Sequence, residues 1–419
     1  MKTKSKIFLF GLMAILLASC EDIITREVTY LANVPIYMSR ADFNAAVKKS
    51  DEVEVKKPGK IYFKDNYLFL NELEKGVHVY NDADPTNPVY VCFINIPGNV
   101  DIAIKGDILY ADSYIDLIAI NISDPANPIL IDRVENAFPN IYPMFDNYNP
   151  TVGIETSKGV CVGWKEEVIT VAENAFNFGR ELFYKAEMDM APNTTGGGGT
   201  GVGGSLARFT IKENSLFAIN NGYELKIFDI GSEKIKKLDS LSVSWNIETL
   251  FINNNQLFIG STNGMFIYDI TNTRKPVYVA SFSHAKSCDP VVVEGDYAYI
   301  TLRTGETRCF NGVNELQVVS IKDIYNPKLI TTYPMHNPWG LGIDNGILFI
   351  CDGDAGLKIY DASDVTKISD NMLKHFPEIK TYDVIPYNNL LIMSAEDGII
   401  QYSYSDINNI TELSRIAIK

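Results

Sequence analysis

The residues best suited to chemistry in this chain are few and scattered. Four histidines, His78, His284, His336 and His375, show no HExxH pair or other metal-ligand spacing. No GxSxG elbow offers a serine nucleophile. The glycine run from Thr194 to Gly204 carries no GKS or GKT and no strand-GxGxxG-helix context, so it reads as a linker rather than a phosphate cradle. Asp352-Gly353-Asp354 resembles the start of a calcium loop, but the later ligands are missing and a turn is the better reading. None of the cysteines forms a CxxC pair. No motif calls for a metal or a cofactor. What remains is a set of aromatic, polar and charged residues whose meaning depends on where the fold puts them: Trp164, Trp245, His284, Asp289, Arg303, His336, Asn337, Trp339, Asp352 and Asp354.

The elements that must position them repeat. Units begin near Gly59, Gly98, Arg208, Asn246, Lys286, Asn337 and Glu378, a period of about 40 residues with two long gaps. Each unit has a first strand that ends in a tight polar turn, such as Lys105-Gly106-Asp107 or Asp344-Asn345-Gly346. An apolar second strand follows (Leu216 to Ile219, Leu257 to Ile259, Leu348 to Ile350). Most units then turn at a glycine into a third strand, as in Met265-Phe266-Ile267-Tyr268-Asp269 and Leu357-Lys358-Ile359-Tyr360-Asp361. An Asp, Asn and Pro turn leads to a polar fourth strand; Asp84-Pro85-Thr86-Asn87-Pro88 and Asp124-Pro125-Ala126-Asn127-Pro128 are near copies. Units three and seven depart from it, with Gly231-Ser232-Glu233 and Asp406-Ile407-Asn408. Strands apolar on both faces must be covered on both sides, and a repeated four-stranded sheet achieves this by stacking around an axis. The expected fold is therefore all-β: a β-propeller of about seven four-stranded blades, with a short N-terminal segment and one large loop insertion.

In such a ring one rim carries the fourth-to-first junctions and the second-to-third loops. The insertion at 137–206 is a junction of the first kind, and the extra residues at 303–315 lie in a loop of the second kind. The ten candidate residues map to that same rim. Tethered loops on a rigid scaffold are where binding concentrates. A ligand or partner site is expected there, over the mouth of the central channel, suited to a sugar or a protein surface. The alternative is that the aromatics plug the channel and pack the insertion down. Cys288 and Cys309 lie at the same rim and are expected to form a disulfide, which in a loop of this size contributes about 3 kcal/mol. Catalysis is the weaker reading; two rim carboxylates about 5–10 Å apart would favour a polysaccharide hydrolase or lyase.

The pattern Ala119-Ile120-Asn121-Ile122-Ser123-Asp124-Pro125 resembles the LVIVD repeat of bacterial surface and secreted proteins, over nearly all of 59–136 and 207–419. The resemblance implies a propeller in an extracytoplasmic setting and brings no catalytic residues with it. The N-terminus agrees. Lys2, Lys4 and Lys6 precede an apolar run from Ile7 to Leu17, too short for a bilayer span and suited to a signal peptide. Leu17-Ala18-Ser19-Cys20 resembles a bacterial lipobox, which makes Cys20 the acylated residue; each buried methylene of an acyl chain contributes ~0.8 kcal/mol. Glu21 and Asp22 resemble the acidic signal that sends Bacteroidetes lipoproteins to the cell surface. The expected order is a signal peptide at 1–19, a lipidated tether with a short strand and helix at 20–58, blades one and two at 59–136, the insertion at 137–206, and blades three to seven at 207–419. The strand candidate from Val28 to Met38 either pairs with the last blade or belongs to a free spacer. A helix capped by Ser39 runs to Lys48, and Val53 to Lys60 is a polar tether.

The formal charge is -15 at pH 7; without the three signal-peptide lysines it is -18. That opposes nucleic acid, whose phosphates need Lys and Arg, and anionic lipid head groups. The sequence thus points to a lipid-anchored outer-membrane module, exposed at the cell surface, that binds a glycan or protein of the envelope. The alternatives are the polysaccharide-acting enzyme and a purely structural envelope protein.

Overall fold

In the computed structural model the described residues are 27–145, 147–172, 202–203, 205, 207–284, 290–304 and 312–418. Cys20, Cys288, Asp289 and Cys309 lie outside them. Seven four-stranded antiparallel sheets form a propeller. Ahead of the ring come β1 (Glu27–Met38), helix α1 (Arg40–Ala45) and β2 (Lys48–Ser50). Blade 1 is built of β3 (Pro58–Lys64), β4 (Tyr67–Glu72), β5 (Gly76–Asn81) and β6 (Val89–Asn95). Blade 2 is built of β7 (Ile102–Lys105), β8 (Ile108–Ser113), β9 (Asp116–Asn121) and β10 (Ile129–Val134). The insertion supplies β11 (Val160–Ala172) and β12 (Val202–Gly203). Blades 3 to 7 span 209–242, 247–283, 291–334, 341–376 and 381–417.

The burial pattern follows from the sequence. The second strands, such as Leu216, Phe217, Ala218 and Ile219, are covered on both faces because each blade packs between two neighbours. The fourth strands are mostly the more exposed ones, as in Lys236–Ser242, although that of blade 1 buries Cys92, Phe93 and Ile94. In every blade the register slips by one residue between the third and fourth strands. Such a bulge adds the extra twist that the outermost strand needs. The first hairpin of every blade turns through a left-handed residue: Asp65, Gly106, Glu213, Asn254, Gly295, Asn345 and Asn388.

The Asp turn shows which residue does its work. In blades 1 and 2 the carboxylates of Asp84 and Asp124 accept from the N–H groups of Thr86 (3.0 Å) and Ala126 (3.1 Å). Blade 7 lacks the proline, yet Asp406 accepts from Asn408 N–H at 3.0 Å in the same way, and Asn409 N–H closes the turn on the Asp406 carbonyl. The aspartate builds the turn, and the proline only pre-sets its backbone.

The ring closes where blade 7 packs on blade 1. Ile385, Ile392 and Ile399 interlock with Ile61, Leu68 and Leu70, and Gln401 Nε2 donates to Asp82 Oδ1 at 2.6 Å. Among the described residues no strand is exchanged across the seam. β1 does not pair with the last blade. It forms a long two-stranded ribbon with β11, paired from Glu27↔Ala172 to Met38↔Val160 with one bulge between Ile36 and Tyr37. The ends of that ribbon are remote in sequence, and alternation alone cannot name a strand's partner. The helix starts at the Ser39 cap but stops at Ala45, because Lys48–Ser50 adds to the outer edge of blade 1. The stretch read as a polar tether is held down as well: Val55 is buried, and the inner strand of blade 1 already begins at Pro58.

Candidate functional site

The axis of the ring is built from the starts of the inner strands. At the corresponding place in each blade stand Lys60, Asp101, Arg208, Thr249, Pro290, Gly340 and Asp383. Four adjacent blades, from 7 through 1 and 2 to 3, thus alternate in charge: Asp383, Lys60, Asp101, Arg208. Asp101 is buried, and its carboxylate accepts from the N–H groups of Arg208 (2.5 Å) and Phe209 (3.1 Å), joining blade 2 to blade 3. Burial raises the pKa of Asp101 and, more strongly, that of Asp383; the Lys60 ammonium opposes both shifts. Gly340 must be glycine, because a Cβ there would lie 2.0 Å from Asp383 Oδ1.

The end of the insertion reaches this axis. β12 pairs with blade 1 through Val202↔Phe63 and Gly203↔Tyr62, and it also touches the inner strand of blade 7. Two residues on, Ser205 Oγ accepts from Leu341 N–H of blade 6 at 3.0 Å. The chain then returns to blade 3, where the Ala207 carbonyl accepts from Leu250 N–H of blade 4 at 2.8 Å. The described residues 202–203, 205 and 207 thus contact blades on opposite sides of the ring. The axial mouth, where the sequence suggested a ligand, is therefore met by the described end of the insertion at 202–203 and 205.

Around this centre, carboxylates at the ends of second strands hold the preceding junctions in place. Glu72 accepts from the N–H groups of Lys56 (3.1 Å) and Lys57 (3.0 Å), Asp112 from those of Val100 (2.7 Å) and Asp101 (3.0 Å), and Asp352 from those of His336 (3.0 Å) and Asn337 (2.8 Å). Asp352 is fully buried and also pairs with Lys358. It is a strut within the fold and not a group offered to a ligand. Asp112 is pushed up to about 7 by burial, a value a general acid would have. The void beside it measures about 10 Å³, however, room for a single water and not for a sugar.

The remaining candidates fall into separate groups. Arg303 is buried with its guanidinium 3.8 Å from the Trp339 ring centroid, and Tyr382 meets that indole edge-on at 5.3 Å. Thr301 Oγ donates to the Trp339 carbonyl at 2.7 Å. This is a packed joint between blades 5, 6 and 7. Trp164 lies on the ribbon, where its Nε1–H donates to the Pro143 carbonyl at 2.7 Å and its ring meets Phe145 edge-on. His284 is half-buried, and its N–H donates to the Asn263 carbonyl at 3.3 Å. His336 is exposed, and Asp354 is exposed beside Lys380 at 3.6 Å. Trp245 is the solvent-facing indole of the three, 74% exposed, with Tyr223 beside it at 6.3 Å. Sequence reasoning missed Tyr223; the signal was its place in the second-to-third turn of the unit that Trp245 ends.

The root of the insertion is clamped. The buried Asp116 carboxylate takes Arg133 Nη1 at 2.7 Å, Arg40 Nη1 and the N–H of Asn136, while Phe43 of α1 sits under both guanidinium groups. Among the described residues no cluster of His, Cys, Asp and Glu could hold a metal ion, and no helix is long and apolar enough to cross a membrane. Cys92, Cys161 and Cys351 are buried free thiols. Burial raises the Cys351 pKa well above the usual thiol value, which keeps it protonated and unreactive. On the opposite rim a groove of about 690 Å³ opens between blades 2 and 3, beside the Gly231-Ser232-Glu233 turn that lacks the Asp lock.

Comparison with known proteins agrees on architecture. The LVIVD repeat family model matches residues 98–136 and 286–306. No curated protein matches the chain. Among solved structures, the computationally designed protein Ika8 is similar at a TM-score of 0.51 and 10% identity, covering 88% of this chain and 90% of its own. A functionally unknown protein from Desulfotomaculum acetoxidans is similar at a TM-score of 0.51 and 9% identity, covering 84% and 96%. Sqt1 of Saccharomyces cerevisiae reaches a TM-score of 0.49 at 7% identity, covering 87% of each chain. For the two at a TM-score of 0.51 the likeness, at these identities, is one of fold.

Proposed function

We propose that this protein is a binding module held at the outer membrane by an acylated Cys20, and that it meets a glycan or protein partner with the face that carries its insertion. The observation that carries this reading is the exposed Trp245–Tyr223 pair on loops of that face, over a ring whose axis is met by the end of the insertion. A partner would engage the loops rather than enter the channel. The carboxylates with raised pKa values support binding over catalysis: Asp101 and Asp112 accept from backbone N–H groups, Asp82 accepts from Gln401 at the blade seam, and Asp383 lies buried at the axis. The net charge, -15 for the full chain and -18 without the three lysines that precede Cys20, favours a neutral or basic partner and opposes nucleic acid.

Two experiments test the two halves. Cys20→Ser is expected to move the protein from the membrane fraction to the soluble fraction, and unchanged membrane retention would defeat the anchor. Glycan and envelope-protein arrays probed with the intact chain are expected to give a partner whose capture is lost in a Tyr223→Ala, Trp245→Ala double variant. Capture that the double variant leaves unchanged would remove this face as the site.

A further inference from the structure

We infer that Tyr223 and Trp245 form a stacking site for a neutral pyranose oligosaccharide. This deepens the reading above and rests on its choice of face. Tyr223 stands in the second-to-third turn of blade 3, and Trp245 in the junction from blade 3 to blade 4. The rings are 44% and 74% exposed, with centroids 6.3 Å apart and planes inclined by 47°. They form a shallow angled seat open to solvent.

The seat is fixed by the backbone beneath it. Val243 N–H donates to the Tyr223 carbonyl at 3.1 Å, and Ile247 N–H to the Gly222 carbonyl at 2.7 Å. Asn221, Gly222 and Asn246 all have left-handed φ values, which bring the two loops together. Asn221 Nδ2 donates to the Tyr223 hydroxyl at 3.0 Å and orients that ring. Two rings held in place before a ligand arrives lose little freedom on binding.

The surroundings choose between a sugar and a protein. A stable protein partner needs about 800 Å² of surface per side with an apolar core. Here the apolar area is two rings, and their margin is polar. It holds Asn221, Asn246 and the partly exposed Glu224, whose carboxylate is neutralised from beneath by the buried Lys226 at 3.3 Å. Among the described residues, the other large exposed apolar side chains lie on outer strands, on the ribbon and its flank, or on the Tyr325 turn of the opposite rim. The Oδ1 atoms of Asn220 and Asn221 are buried beneath the turn without a hydrogen-bond partner, and Asn220 is only 1% exposed. A pyranose presents an apolar C–H face for the rings and a rim of hydroxyls for the amides. The paired charges of Glu224 and Lys226 and the acidic whole favour an uncharged sugar.

The full acylated chain, in detergent, is titrated with cellohexaose, maltohexaose, mannohexaose and a sialylated oligosaccharide. Tryptophan emission and calorimetry report binding. At least one neutral hexasaccharide is expected to blue-shift the emission and shield Trp245 from iodide. Trp245→Ala is expected to weaken that binding by at least about tenfold, while Trp245→Phe stays within about threefold. Both side chains are exposed, so unchanged thermal melting checks that the variants fold. Binding of the sialylated probe alone, or neutral-sugar binding unaffected by Trp245→Ala, overturns the inference. If no sugar binds but an envelope protein is captured and lost in the Tyr223→Ala, Trp245→Ala variant, the inference falls while the face stands. If neither binds, both fall.

Discussion

Replacing Asp352 by alanine separates a structural strut from a ligand group. The side chain is fully buried and takes three donors: the N–H groups of His336 and Asn337 and the Lys358 ammonium, itself only 16% exposed. Removing one partner of such a pair leaves an uncompensated charge and two unmet backbone donors, at a cost of about 3–5 kcal/mol. Asp352→Asn keeps an acceptor for the two N–H groups and loses only the charge facing Lys358, so about 1–2 kcal/mol is expected. Urea unfolding at pH 7, followed by circular dichroism and near-ultraviolet fluorescence, measures both through the shift in midpoint at constant slope. A loss below about 1 kcal/mol for Asp352→Ala would refute the strut and return Asp352 to the list of ligand-facing residues.

Three further outcomes are expected. Asp112 is raised to about 7 in the folded chain. The native state therefore holds the extra proton between the ordinary aspartate value and pH 7, and this group's contribution to stability falls as pH rises through that window. Asp112→Asn should flatten that part of the stability-pH curve and should be at least as stable as the parent at pH 8; a clear loss there contradicts the reading. Gly340→Ala would place a Cβ 2.0 Å from Asp383 Oδ1 and should destabilise by about 1–3 kcal/mol in thermal or urea unfolding; no change would mean the axis is looser than drawn. If Cys288 and Cys309 are bridged, the intact chain should gain the mass of two alkyl groups only when reduced before alkylation, and equal masses with and without reduction would exclude the bridge.

Local features were legible in the sequence, and partnerships between distant segments were not. Strand runs such as Leu216 to Ile219 and the Asp84 and Asp124 turns announce themselves because each is fixed by residues adjacent in the chain. The seven-unit ring followed from their recurrence. The ribbon of Glu27–Met38 with Val160–Ala172 could not be read, because period-two alternation marks a strand without naming its neighbour. The axial contacts of 202–203 and 205 were hidden in a glycine-rich stretch whose composition says only that it bends. Arg303 and Trp339 come from different blades, so nothing in their spacing tells of a 3.8 Å stack. The struts had a readable signal that was missed: an acid near the end of the second strand recurs as Glu72, Asp112 and Asp352, offset by one residue in blade 2.

The ring, and with it the shared face, depends on blade 7 closing against blade 1. Asp82 and Gln401, 319 residues apart, meet in a hydrogen bond of 2.6 Å at that seam. A double-mutant cycle with Asp82→Ala and Gln401→Ala, read by urea unfolding at pH 8 where Asp82 is charged, measures the contact itself. A closed ring predicts a coupling of about 1–2 kcal/mol. Strictly additive effects, with coupling below about 0.3 kcal/mol, would mean that the two blades do not touch there.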